Sequence, residues 1–329
     1  MKLLKFTRYA EWWEYKLVPL VSIGYATLLF ENYPLNKAIL RLILILCAII
    51  IGAVYVSVIN DVTDIGEDAA AGKNNKMASL SPLVRTAIIS ICLLAGLLFG
   101  YFIYPDSTGL FFYIMAWVVF SLYSIPPVRL KKRGIWGVLC DALGAHFFPT
   151  MLIVANLIYS THTNMNLIWY AAVGTWSLCY GLRGILWHQF YDRENDLRSG
   201  TTTFASRVRP ENFKTQERLI FFIEIVFFAI ILSYIINIWI ILSILLYLIL
   251  TVIRRLSFGY QLSLIIAPAA SPYQLVMNDY YLVLFPLSLL FTAALHNKYG
   301  WIVLCFHLVF FPSKTMLILK DIVQFTRKF

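Results

Sequence analysis

The chain has 329 residues, of which 60% are hydrophobic and only 13% are charged. A soluble globular domain carries about 25% charged residues, so this composition excludes an ordinary water-soluble fold. The net charge of +10 would suit nucleic acid in a soluble protein. Here we assign the basic residues to loops on one face of a membrane, and we predict no nucleic-acid partner and no obligate protein partner.

Apolar runs that are long enough to cross a bilayer follow one another along the chain. A helix needs about 20 residues to cross a hydrocarbon core of about 30 Å. The predicted spans are 12–30, 38–59, 83–103, 109–125, 136–158, 166–187, 217–236, 238–253, 279–295 and 300–318. We therefore predict an all-α, polytopic helical membrane protein with about nine transmembrane helices, or ten if the last two runs span separately.

The loops between these spans differ strongly in charge. Lys and Arg concentrate in the longer loops, and the excess of positive charge is typical of the cytoplasmic side. Those loops are 60–82, 126–135, 188–216 and 254–278. We expect a bacterial inner-membrane protein whose N-terminus and polar loops face the cytoplasm. The first apolar run is predicted to be a retained helix, because Glu11, Glu14 and Lys16 interrupt it as they would not interrupt a signal peptide.

The two halves of the chain carry the same polar pattern. When the sequence is shifted by 128 residues, Asn60, Asp64, Asp68 and Gly72 fall on His188, Asp192, Asp196 and Gly200. We predict one domain, 1–329, with a pseudo-repeat over 12–135 and 136–258 and extra C-terminal helices in 279–318. The two four-helix units are expected to surround a central cavity.

The repeated pattern places acidic residues at helical spacing. Residues four apart lie on one face of a helix, so each half presents a ladder of polar groups. Carboxylates gathered around one cavity repel each other unless cations neutralise them. Mg²⁺ prefers oxygen ligands and commonly bridges carboxylates to phosphate groups. The basic residues nearby suit the same anion, and they include Lys73, Arg129, Lys131 and Arg198.

Three segments resemble motifs of the UbiA superfamily of intramembrane prenyltransferases. NDVTDIGED at 60–68 resembles the superfamily's NDxxDxxxD motif, and DREND at 192–196 resembles its DxxxD motif. YSIPPVRLK at 123–131 resembles the YSxPPxRLK stretch that follows the fourth helix in many members. The three segments occur in the expected order, and each lies at a predicted cytoplasmic helix end.

The resemblance implies a Mg²⁺-dependent prenyltransferase that moves an isoprenyl group from a diphosphate to an aromatic or other lipophilic acceptor. The implied metal residues are Asn60, Asp61, Asp64, Asp68, Asp192 and Asp196. The implied catalytic residues among them are Asp64, Asp68, Asp192 and Asp196. The predicted diphosphate-binding residues are Asn60, Lys73, Arg129, Lys131 and Arg198. The expected partners are an isoprenyl diphosphate, a lipophilic acceptor and membrane lipid.

The sequence indicates less clearly which residues would bind the acceptor. We predict Lys16, Tyr123 and His188 there, and Asp141 and His146 are further polar groups on apolar helices. The chain lacks the YxxxK pattern of quinone-pathway members, which leaves the acceptor open. Within the fold, a terpene cyclase or a polyprenyl-phosphate phosphoribosyltransferase is the alternative. A cation transporter or a non-catalytic membrane scaffold is the alternative from another class.

Overall fold

The computed structural model describes residues 7–70, 72–268 and 271–327, which form a helical bundle. The helices are α1 (Tyr9–Phe30), α2 (Leu35–Ala70), α3 (Pro82–Ile103), α4 (Ser107–Ser124), α5 (Ile135–Thr161), α6 (Leu167–Tyr191), α7 (Arg193–Ser199), α8 (Phe204–Arg207), α9 (Lys214–Ile235), α10 (Ile238–Phe258), α11 (Tyr280–His296), α12 (Lys298–Phe310) and α13 (Pro312–Thr326). Two short parallel strands, β1 (Gln261–Ser263) and β2 (Tyr273–Leu275), lie between α10 and α11. The predicted all-α class is confirmed.

The bundle has inner and outer helices. In the 18-residue apolar stretch of α5, 78% of the residues are buried inside the bundle, whereas in that of α3 only 17% are buried. The outer helices expose large apolar side chains, such as Leu97 (72%) on α3 and Phe222 (65%) on α9. An apolar outer surface around satisfied helical backbone is what a bilayer requires.

Six helices in the described part of the chain are long and apolar enough to cross a membrane. The pair α12 and α13 makes a seventh if it forms one broken span. The predicted count of nine is not confirmed. The continuous helix predicted at 300–318 is wrong, because the chain bends by 84° between Phe310 and Pro312. Proline disfavours helical geometry in the residue before it, and Phe311 accordingly has φ −130° and ψ 61°.

In both halves, helical structure continues past the end of the predicted membrane span, and the acidic ladder lies on this extension. α2 runs on to Ala70, so Asn60, Asp64 and Asp68 share one helix. In the other half, Asp192 joins α6 to α7: its N–H donates to the carbonyl of His188 at 3.0 Å, and its carbonyl accepts from the N–H of Asp196 at 2.9 Å. The predicted spacing on one face is therefore realised in both halves.

A buried ion pair holds the segments 259–268 and 271–278 against the bundle. The Arg183 guanidinium on α6 donates twice to the Glu224 carboxylate on α9, at 2.7 and 3.0 Å. It also donates to the carbonyls of Leu264 (3.1 Å) and Val276 (2.9 Å). Because Arg183 is 4% exposed and Glu224 0%, both charges are shielded from bulk water, and each depends on the other.

The C-terminal helix, α13, is held against the bundle by contacts near both of its ends. Arg254 on α10 pairs with Asp279, and its second ion pair, with Asp321 on α13, is 2.7 Å long. At the other end of α13, the buried Glu14 carboxylate accepts from the N–H groups of Ser313 (2.7 Å) and Lys314 (3.0 Å). A carboxylate at a helix N-terminus satisfies N–H groups that have no partner within the helix.

Candidate active site

A cavity of about 1130 Å³ opens between α1, α2, α5 and α6. One part of it, which we call the aspartate end, is lined by both predicted ladders: Asn60, Asp64, Asp68, His188, Asp192 and Asp196. Residues 128 positions apart in the sequence thus face one space. The predicted Lys73 and Lys131 line the cavity as well.

The segment after α4 supplies cations to the first ladder. The Lys131 ammonium donates to Asn60 Oδ1 at 2.7 Å and to Asp64 Oδ1 at 2.5 Å. The Arg129 guanidinium donates to the same Asp64 oxygen at 2.5 Å and also pairs with Glu67. Burial lowers the pKa of Lys131, and the hydrogen bond to Asp64 opposes that effect. Arg129 and Lys131, both predicted to bind the diphosphate, therefore contact the first ladder directly.

Two partners of this ladder were missed by sequence reasoning. Arg8, just before α1, pairs with the Asp61 carboxylate at 3.3 Å. The Asn75 amide donates to the carbonyl of Asp61 and to Asp68 Oδ2, both at 2.7 Å. Arg8 lies 53 residues away in sequence, and no local signal indicates that contact. Asn75 lay inside a loop already predicted to be polar, without a spacing that singled it out.

The second ladder has weaker internal partners. His188 Nδ1 lies 3.0 Å from Asp192 Oδ2, and the His188 side chain is 61% exposed. The Thr203 hydroxyl donates to Asp196 Oδ2 at 3.0 Å. Burial raises the pKa of the Asp196 carboxyl, and Thr203 and the charge of Lys73 oppose that shift. A further cation beside Asp196 would favour its charged form.

Arg198 does not join the other predicted diphosphate residues. Its side chain is 78% exposed, and it pairs with Glu194 at 3.4 Å along α7 rather than lining the cavity. Positions 194 and 198 lie on a different face of α7 from Asp192 and Asp196. Its role toward the diphosphate stays a prediction from sequence.

The predicted acceptor residues lie on the cavity wall. Lys16 and Tyr123 line it with Asp141, and the Lys16 ammonium lies 4.0 Å from Asp141 Oδ2. His146 lines it too, from a π-helical turn over Leu143–Phe147, and its ring meets Tyr180 edge-on at 5.2 Å. π-turns inside α-helices are frequent at functional sites.

The donor groups at the aspartate end fit a hard divalent cation. They are carboxylate and amide oxygens, which Mg²⁺ prefers, and both sets line the same cavity. Among the described residues, no three acidic, histidine or cysteine side chains converge on one point. Mg²⁺ typically keeps water and phosphate ligands beside one or two carboxylates, so the open arrangement suits ions shared with a phosphate group. Asn60, Asp64, Asp68, Asp192 and Asp196 are placed to hold such ions.

Comparison with known proteins agrees with this geometry. The sequence model of the UbiA prenyltransferase family matches residues 18–264, and the chain belongs to that family. Among solved structures, a UbiA homolog from Archaeoglobus fulgidus bound to DMAPP and Mg²⁺ aligns with a TM-score of 0.60 at 18% identity, covering 93% of this chain and 99% of that one. The same homolog bound to GPP and Mg²⁺ gives 0.59 at 18% identity, covering 93% and 100%. The chain has no significant match among curated proteins.

Family membership and the apolar helices together identify a multi-pass integral membrane protein. The likeness to the A. fulgidus homolog shows that the two chains share a fold over nearly their full lengths.

Proposed function

We propose that the chain transfers an isoprenyl group from an isoprenyl diphosphate to a lipophilic acceptor, with Mg²⁺ as cofactor. One observation carries the proposal: two acidic ladders from distant parts of the chain face the same cavity end, with Lys73 and Lys131 beside them. The A. fulgidus homolog binds DMAPP or GPP with Mg²⁺, which supports the same donor class for this chain.

The basic residues are placed to take the charge of the leaving group. When the allylic C–O bond breaks, the electron pair goes to the diphosphate oxygen, and negative charge grows there. Mg²⁺ held by the aspartates would offset that charge when bound. The Lys131 ammonium and the Arg129 guanidinium each lie 2.5 Å from Asp64 Oδ1. They are therefore already positioned beside the place where the diphosphate would bind.

The rest of the cavity suits the prenyl chain and its cation. Its wall carries apolar and aromatic side chains, including Leu20, Ile49, Tyr113, Trp117 and Phe120. Aromatic faces stabilise a nearby cation, and a dry wall keeps water from capturing it. The acceptor carbon attacks C1 of the prenyl group, and the proton that it then loses passes to a base on the wall.

We also propose the remaining features of the sequence prediction. The N-terminus and the aspartate end face the cytoplasm of a bacterial cell, the protein lies in the inner membrane, and the two halves are a pseudo-repeat. The matching glycines support the repeat, because Gly72 and Gly200 adopt φ +66° and +70° just after the two ladders. Glycine adopts this left-handed conformation without steric cost and ends a helix there.

The test is a substrate-pair screen with purified protein in detergent. Radiolabelled geranylgeranyl diphosphate and a panel of phenols and naphthols are incubated with Mg²⁺, with excess EDTA, and with Asp64→Asn. We expect prenylated product only in Mg²⁺ and only with the wild-type ladder.

Other outcomes would replace the proposal. A cyclic hydrocarbon formed without any acceptor indicates a cyclase, and transfer that needs a phosphoribosyl donor indicates the phosphoribosyltransferase. Cation flux in liposomes that Asp64→Asn abolishes, without any prenyl transfer, indicates a transporter. Failure to bind the diphosphate in Mg²⁺ indicates a scaffold.

A further inference from the structure

Asp141 is a carboxylate on the cavity wall that belongs to neither acidic ladder. It lies on the largely buried α5 and lines the cavity together with Lys16 and His146. No described residue donates a hydrogen bond to its carboxylate, and the carboxylate oxygens are not fully enclosed by the protein. A carboxylate among membrane-spanning helices is costly and usually has a function. The open carboxylate of Asp141 therefore points to a role in the cavity.

Lys16 on α1 is the cation that faces Asp141. Its ammonium lies 4.0 Å from Asp141 Oδ2, beyond the distance of about 2.7–2.9 Å at which an ammonium donates to a carboxylate. Within the described part of the chain, the Lys16 ammonium donates no hydrogen bond. The pair thus leaves an acceptor and a donor open to the same space. A hydroxyl between them can accept from Lys16 and donate to Asp141.

The position of Asp141 on α5 places it one helical turn beyond the loop that supplies Lys131. A Cβ at Gly137 would lie 3.0 Å from Lys131 Cα, so α5 touches the backbone of that loop. Asp141 follows Gly137 by four residues, on the same face and about 6 Å further along the axis. The charges that act on the Tyr123 hydroxyl include both Asp64 and Asp141. Asp141 therefore lies next to the aspartate end.

Beyond Asp141, the same wall of the cavity is apolar. Ala145, Pro149 and Leu152 follow on α5 and line the cavity. This surface suits the ring of a lipophilic acceptor whose hydroxyl lies at Asp141. Apolar side chains cannot accept a proton, so the proton that the acceptor loses needs a polar group on this wall.

Several elements contribute titratable side chains around this part of α5. They are Lys16 from α1, Tyr123 from α4, Lys131 from the loop after α4, Tyr180 from α6, Arg207 from α8, and Cys140 and His146 from α5 itself. Asp141 is the carboxylate among them. It is also the one that has an ammonium beside it to hold an oxygen from which a proton has left.

We infer that Asp141 is the base that takes the hydroxyl proton of the acceptor, and that Lys16 holds the hydroxyl oxygen. The inference rests on the proposed prenyl transfer and assigns a hydroxyl group to its acceptor. As a ring carbon of the acceptor bonds to C1, the electron pair of the C1–O bond leaves with the diphosphate, and the O–H proton passes to Asp141. The ring regains aromaticity when its C–H proton moves to the oxygen. Asp141 then releases its proton to the diphosphate.

The test measures prenyl transfer from radiolabelled geranylgeranyl diphosphate to 1-naphthol in Mg²⁺, with purified protein in detergent. At pH 7, Asp141→Asn should lower kcat about a hundredfold, which is within the range for the loss of a general base. Asp141→Glu should recover part of that loss, because it restores a carboxylate. Equilibrium dialysis of the diphosphate should give unchanged binding in both variants, which shows that they are folded and hold the donor.

The pH dependence separates a base from a structural ion pair. A phenol ionises by itself near pH 10, and a phenolate no longer needs a base. The ratio of the wild-type rate to the Asp141→Asn rate should therefore fall about tenfold for each pH unit between about 7 and 9. A ratio that stays constant over this range would overturn the inference.

Glu11→Gln is the matched control, because Glu11 also lines the cavity but its carboxylate already accepts from Arg8, at 3.0 and 2.9 Å. It should change the rate by less than about threefold at every pH, since an exposed ion pair contributes little. An equal loss in Glu11→Gln would overturn the inference. A loss in His146→Gln that falls with pH, without one in Asp141→Asn, would also overturn it.

A double variant, Lys16→Met with Asp141→Asn, removes both charges of the pair. A merely structural pair would be largely restored, because no unpaired charge remains, whereas a missing base leaves the loss in place. Recovery of transfer in the double variant, or equal transfer by the wild type and Asp141→Asn, overturns the base and leaves prenyl transfer standing. No transfer by the wild type to any phenol or naphthol overturns the proposed function, and the inference with it.

Discussion

Two regions that line the cavity stabilise buried charge in different ways. At the aspartate end, carboxylates from two distant segments line one space, and Lys131 and Arg129 donate to Asp64. In the region of Arg183 and Arg254, the arginines form ion pairs within the protein, with Glu224, Asp279 and Asp321. A region with further carboxylates is suited to metal ions and an anion, whereas a region of internal ion pairs stabilises the fold.

The difference also has a structural side. Arg183 holds the segments around Leu264 and Val276 in place, and Arg254 holds α13, through ion pairs that are largely buried. The aspartate end is more open, and its second ladder is partly exposed at His188 and Asp192. We therefore expect the region of Arg183 and Arg254 to be the more rigid of the two, and the aspartate end to need Mg²⁺ to offset its remaining carboxylates.

The largest effect is expected from the second ladder. Asp192→Asn should lower kcat by about 10²–10³, because a carboxylate predicted to hold the Mg²⁺ that offsets the charge of the leaving diphosphate is removed. Glu194→Gln is the matched control, since Glu194 is 81% exposed and pairs with Arg198 on another face of the same motif. Initial rates at saturating Mg²⁺ measure both. Equal losses in the two variants would show that the facing ladders do not define the site.

The next effect concerns stability in the region of Arg183 and Glu224. Arg183→Met should destabilise the protein by about 3–5 kcal/mol, because Glu224 is left as an unpaired buried charge. Thermal unfolding in detergent measures the loss. Adding Glu224→Leu to the same chain should recover part of it, because no buried charge then remains. No recovery in the double variant would mean that the carbonyl contacts to the 259–278 loop carry most of the stability.

A smaller effect is expected from the basic residues of the aspartate end. Lys131→Gln should reduce transfer by about tenfold to a hundredfold, the range for losing a charged hydrogen bond. Arg133→Gln is its control, because the Arg133 side chain is exposed and, within the described part of the chain, donates only to the carbonyl of Pro127, at 3.1 Å. Rates at varied diphosphate concentration separate weaker donor binding from slower chemistry. Similar losses for both variants would mean that the loop acts through its total charge.

The smallest effect separates the sequence prediction from the structure. Arg198→Gln should change the rate by less than about twofold, because an exposed ion pair along one helix contributes little. The sequence prediction, which placed Arg198 on the diphosphate, expects a large loss instead. A rise of tenfold or more in the KM for the diphosphate would restore that role.

Residues close in sequence could be interpreted without the fold. The spacing of Asn60, Asp64 and Asp68 specifies one helix face wherever that helix lies, because 3.6 residues per turn is a local property. The same holds for Asp192 and Asp196, and the motifs gave the family and the metal-binding residues as predictions. Apolar run length gave most of the helices, since the bilayer sets the length that a helix needs.

Contacts between distant segments were decided only by tertiary structure. The bend before α13 follows from a local proline, but its pairing with Arg254 joins residues 67 positions apart. Arg8 on Asp61 and Arg183 on Glu224 are likewise set by how helices pack, and periodicity carries no information about which helices meet. The sequence by itself predicted the donor class and the residues that would bind it, and only the packed structure decided which distant side chains surround those residues.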